Sequence, residues 1–202
     1  RGAFYGVMAT ADMIGFDGEA PAADIEDWPA LNTRLFFHEV TPHSGPMTSP
    51  DQVSHFITKV VARARFNTVV LELKGGLKSE RHPVLSRHDA WTKSDLEQVL
   101  DAARRFGITV IPTFNTPAHS HWIGRVYPNL TEDEATGLLC TRNPDTKALI
   151  ADMLTELHEV FGSPDFVHIG HDEIGFKTHR KHEAQRCPRC EGTPRWQILT
   201  ED

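Results

Sequence analysis

Four short apolar runs recur along this chain, and each is parted from the next by an amphipathic helical pattern. They fall at residues 35–40, 69–73, 108–111 and 166–169. Strands joined by crossover helices pair in parallel, because a hairpin turn cannot return the chain in the same direction. A parallel sheet must in turn be covered by those helices. The predicted order is β-α-β-α-β-α-β, with strands spaced by about 30 residues or more, as a βαβ unit requires.

The helices carry their own signals. Ser49 is placed to cap the first, with Pro50 at its first position and Gln52 completing a capping box. Val53, Phe56, Ile57, Val60, Val61 and Ala64 then fall on one face. The second begins near Thr92, has a stripe of Leu96, Val99, Leu100, Ala103 and Phe106, and stops at Gly107. The third is capped by Asn143, opens with Pro144 and ends at Gly162. A short apolar helix is expected over residues 4–16, followed by a connector rich in Gly, Pro and Ala. Pro112 is expected to close the third strand, and residues 112–142 to form a long polar loop.

Two architectures suit this order: a (β/α)8 barrel and an open doubly wound sheet. The nucleotide-binding fingerprint G-x-G-x-x-G does not follow the first strand, and no P-loop pattern occurs. Four strands are half of a barrel, which typically takes about 250 residues against the 202 present. A net charge of −7 argues against nucleic acid, whose readers carry a basic stripe. No apolar run reaches the roughly 18 residues of a membrane span.

Reactive groups in such folds gather at the carboxyl ends of the strands. Those ends hold His38, Glu39 and His43; Glu72 and Lys74; Asn115, His119, His121 and Trp122; and the run His168-Ile169-Gly170-His171-Asp172-Glu173. The adjacent carboxylates Asp172 and Glu173 have two readings. As a structural pair they suit the start of a following helix. As a functional pair they raise each other's pKa, which keeps one carboxyl protonated near neutral pH.

The motifs resemble glycoside hydrolase family 20, the β-N-acetylhexosaminidases. Residues 5–10 resemble the family's helix before its barrel. Ile25-Glu26-Asp27-Trp28-Pro29 resembles its "I-x-D-x-P" entry, and Arg34 its first-strand arginine. Thr92-Lys93-Ser94-Asp95-Leu96 resembles "T-x-x-D-[IL]". Residues 110–119, ending Pro117-Ala118-His119, resemble "V-I-P-E-I-D-x-P-G-H", and residues 168–173 resemble "H-x-G-G-D-E". The last two together make the likeness specific.

The resemblance implies an α/β fold: the first half of a TIM barrel, about four βα units, with the tail of a preceding small α/β domain. Residues 1–33 would be that tail and its connector, and residues 34–202 the N-terminal half of the catalytic domain. The rest of the barrel, or another chain, would complete it. The implied activity is removal of terminal N-acetylhexosamine by substrate-assisted retaining catalysis, without a cofactor. Glu173 would be the general acid and base, and Asp172 would orient the 2-acetamido group. Arg34, Asn115, His119 and Trp122 would bind the sugar, with plain packing as the alternative for Trp122. Family habit leans towards a secreted or periplasmic protein.

The chain departs from the pattern at Thr113 and Asn115, where the family has Glu and Asp. It also departs at His171, where the family has a second glycine, and at Lys74-Gly75-Gly76, where it has an Asp-rich turn. These changes motivate a second reading, a catalytically impaired carbohydrate-binding protein on the same fold. A third, a metal-dependent hydrolase, rests on the 12 histidines. Separately, Cys187-Pro188-Arg189-Cys190 has zinc-knuckle spacing, with His179 and His182 just upstream as further ligands. Its alternatives are a reversible disulfide or two free thiols. Cys140 is expected to be a lone thiol.

Overall fold

The computed structural model describes residues 2–42, 44–133, 137–171, 173, 187–194 and 197. Among them a four-stranded parallel sheet is built from β1 (Leu35–Glu39), β2 (Thr68–Glu72), β3 (Thr109–Thr116) and, much later in the chain, the strand His168–Gly170. The spatial order follows the chain order, as in a barrel, with no switch point of the doubly wound kind.

The helices start where their caps dictate. In α2 (Pro50–Phe56) the Ser49 hydroxyl accepts from the Gln52 N–H at 3.2 Å, and the Gln52 side chain accepts from the Ser49 N–H at 3.0 Å. Thr92 and Asp95 repeat the device at the start of α3 (Lys93–Arg105). After α2 the chain widens into a π-helical turn over Ile57–Val61. The Thr58 hydroxyl donates to the Ser54 carbonyl at 2.9 Å, engaging an oxygen of the normal helical ladder.

The helical side of the sheet holds the main core. Val69, Leu71 and Phe114 pack there with Val53, Ile57, Leu96 and Val99, all at most 3% exposed. Each such side chain contributes roughly 1.5–3 kcal/mol through burial. Helix α1 (Gly2–Met13) buries none of its residues fully; Phe4 meets Phe106 edge-on, with ring centroids 5.6 Å apart.

Two expectations need correction. Pro112 does not end β3; it pairs with Leu71 in register and the strand runs on to Thr116. Proline removes one donor but has a φ that extended backbone tolerates, and a strand held on both sides continues past it. Nor are residues 112–142 an unstructured loop. They contain the end of β3, a short helix α4 (His121–Gly124), and an antiparallel pair of β4 (Thr131–Asp133) with β5 (Leu138–Leu139). Helix α5 (Pro144–Val160) follows, with Asn143 as its cap, and leads to β6 (His168–Gly170).

Candidate active site

Strand register sets the site. Glu39 of β1 stands beside Glu72 of β2, Glu72 beside Thr113 of β3, and Thr113 beside His168 of β6. Residues on one rung of an in-register parallel sheet project to the same face. Two residues earlier, Phe37, Val70 and Ile111 form an apolar rung on that same face. The face away from the helices therefore has an apolar floor with a polar layer at its carboxyl end.

Lys74 organises the polar layer. Its ammonium pairs with Glu39 and lies 3.7 Å from Glu72. Glu72 is 3% exposed, and its Oε1 has no hydrogen-bond partner among the described residues. Burial pushes the Glu72 carboxyl above its ordinary range; Lys74 opposes this, Glu39 adds to it, and a hydrogen bond from Asn115 and the nearby His119 oppose it again. Thr113 Oγ1 and Asn115 Oδ1 are buried and likewise without a partner among the described residues. Three buried polar atoms without a partner among the described residues thus lie in one layer.

The rim comes from the turns after β3 and β6. The register between these strands shifts between Thr113 and Thr116, which re-aims Asn115. Asn115 Oδ1 would lie 1.9 Å from a Cβ at position 170, so only a glycine there allows this approach. A cis Thr116–Pro117 peptide follows, then His119 at φ 55°. The His171 N–H donates to the Thr116 carbonyl at 3.0 Å and ties the two turns together. His119 Nε2 lies 3.3 Å from Glu173 Oε2, the carboxylate being half exposed.

Lys74, His119, His171 and Glu173 all have positive φ without being glycine. That conformation costs of order 1 kcal/mol or more per residue, and its clustering marks functional sites. His171, at φ 67°, occupies the position where the resembling motif has glycine, the residue for which this conformation is free.

The predicted residues do not all converge. His119, Asn115 and Glu173 are brought to one end of the sheet. Trp122 borders an open cleft of about 290 Å³ beside His119, but its ring also sits edge-on to Phe114 and against Gly75, so it packs as well as lines. Arg34 is elsewhere. It precedes β1, at the amino end of the sheet, and its guanidinium donates to the carbonyls of Leu31 and Arg65 and to the Tyr5 hydroxyl. The strand begins after Arg34, so its side chain leaves from the opposite end. Asp172 lies outside the described residues. Glu39 and Glu72 were marked only by their position at strand ends, Thr113 only as a departure from the family's motifs, and Lys74 by both.

The cysteine reading also changes. Cys140, expected alone, lies with Cys187 and Cys190, the three sulfurs within 4.8 Å of one another. His179 and His182 lie outside the described residues.

Comparison with known proteins bears on the family and the fold. Residues 67–198 match the family model "Glycosyl hydrolase family 20, catalytic domain". The chain is 27% identical over 173 residues to the beta-hexosaminidase subunit beta of Entamoeba histolytica, covering 74% of this chain and 30% of that protein. It is 34% identical over 96 residues to the mouse (Mus musculus) beta-hexosaminidase subunit beta, covering 43% and 18%. The fold superposes on the chitobiase of Flavobacterium johnsoniae with a TM-score of 0.76 at 20% identity, over 91% of this chain and 30% of that one. The chain thus spans less than a third of the length of these relatives. Its parallel sheet is part of a TIM barrel, and the chain belongs to glycosyl hydrolase family 20.

Proposed function

We propose that the protein is a glycosidase that releases terminal N-acetylhexosamine, with Glu173 as its general acid and base. The observation that carries the reading is the Glu173 carboxylate 3.3 Å from His119, at the rim of a buried layer with polar atoms unpartnered among the described residues. A sugar ring offers hydroxyl donors and acceptors that the exposed Glu173 carboxylate and His119 at this rim can pair with. The neighbouring relatives carry the names hexosaminidase and chitobiase, and these support the same substrate class.

The chemistry follows from the family scheme. Glu173 gives its proton to the glycosidic oxygen as the bond to the anomeric carbon breaks. The substrate's 2-acetamido oxygen forms the new bond to that carbon, so no enzyme carboxylate is the nucleophile. Asp172 orients the acetamido group and stabilises the charge growing on its nitrogen. Glu173 then takes a proton from the water that opens the cyclic intermediate, and the configuration is retained. The Lys74–Glu39 pair holds sugar hydroxyls in the place of the Asp-rich turn.

Glu173→Gln tests the assignment. Turnover of an aryl N-acetylglucosaminide should fall by about 10²–10⁴-fold, the usual contribution of a positioned acid–base group. Unchanged turnover rejects it. Sugar binding by the wild type without product release supports the non-catalytic reading instead.

A further inference from the structure

We infer that Cys140, Cys187 and Cys190 form a zinc site that pins the segment after β6 onto the connection between β3 and α5. The three sulfurs come from two places far apart in the chain. Cys140 follows β5, and its N–H donates to the Leu130 carbonyl at 2.8 Å. Cys187 and Cys190 stand on a tight turn in which the Cys190 and Glu191 N–H groups both donate to the Cys187 carbonyl, at 2.9 and 3.1 Å.

Their spacing suits a metal. Cys140 Sγ lies 3.6 Å from Cys190 Sγ and 3.2 Å from Cys187 Sγ. Sulfurs bound tetrahedrally to zinc at 2.3 Å stand about 3.8 Å apart, so only small adjustments seat an ion among the three. None of the three is in a disulfide. An odd number also leaves one sulfur over in any disulfide arrangement.

Their surroundings suit it too. Cys140 and Cys190 are at most 1% exposed, and among the described residues they cluster with the half-buried Cys187. A divalent cation would take these sulfurs as thiolates, because coordination deprotonates the ligand. An all-thiolate set selects a soft or borderline ion over magnesium or calcium. Arg142 already bridges the two segments, donating to the Thr193 hydroxyl at 2.7 Å and to the Arg189 carbonyl at 3.4 Å.

The ion would act as a staple rather than as a catalyst. The β3–α5 connection carries His119, and the segment ending in Cys187-Pro188-Arg189-Cys190 follows Glu173. Closing the two together restrains both sides of the candidate rim.

The test is metal analysis of protein purified under reducing conditions without chelator. The expected result is about one equivalent of zinc per chain, lost in Cys140→Ser and in Cys190→Ser. Cobalt(II) exchanged into the wild type should show thiolate-to-cobalt charge-transfer absorption, a readout that does not depend on the variants folding. Zinc below about a tenth of an equivalent after reconstitution, with no cobalt–thiolate band, overturns the proposal. So does an intact disulfide among the three cysteines, or iron or copper in place of zinc.

Discussion

The ring of Phe37 on β1 lies 6.1 Å from the ring of His168 on β6, although β2 and β3 stand between those strands. In a flat sheet three strand spacings would part them by about 14 Å. The contact is possible only because the sheet curls, so that side chains on its inner face converge. The same curvature gathers Glu39, Glu72, Thr113 and His168 into one layer. It also leaves Leu35 and Phe37 on one edge strand and Ile169 on the other nearly half exposed.

Gly170 is where that curvature meets the site. A Cβ there would strike the Asn115 side chain, and the backbone is at φ 77°. Gly170→Ala should therefore lower stability by about 1–3 kcal/mol, from the positive φ and the displaced side chain together. Chemical denaturation measures the first effect; a raised KM for an N-acetylglucosaminide reports the second. A variant as stable as the wild type with unchanged KM would show that Asn115 does not need this approach.

Glu72 makes stability depend on pH in a stated direction. Its carboxyl titrates above the ordinary value of 4.5 in the folded chain. The folded state then holds a proton that the unfolded state has released. Between 4.5 and the raised value, the contribution of Glu72 to stability falls as pH rises, and above that window the full penalty remains. Glu72→Gln should be more stable than the wild type at neutral pH, and the two should converge well below pH 4.5. Denaturation midpoints across the acid range measure this; an equal gap at every pH would contradict it.

Arg34 separates a structural from a sugar-binding role. Its donors close the amino end of the barrel sheet against Leu31, Arg65 and Tyr5. Arg34→Ala should cost about 1–3 kcal/mol of stability through the carbonyls it abandons. KM should stay within about twofold of the wild type, because no uniform binding interaction is lost. A large rise in KM in a variant of native stability would return Arg34 to the sugar.

Much of this was legible in the residues alone. The capping boxes at Ser49 and Thr92, the apolar stripe of α3 and the four apolar runs are local signals, and local geometry obeyed them. The run from His168 to Glu173 pointed to the fourth strand end as the candidate site, because strand polarity places that end at the mouth of a parallel sheet. Tertiary structure decided what local pattern cannot carry. Pro112 stays in its strand because neighbours on both sides hold it. Glu72 becomes a buried group with an oxygen unpartnered among the described residues because register sets it beside Glu39, Thr113 and the Lys74 turn. Arg34 faces away from the site because β1 begins one residue after it. Cys140 meets Cys187 and Cys190 across 47 and 50 residues of chain. Periodicity records which face a residue takes, whereas proximity between distant segments arises only once the sheet has paired and curved.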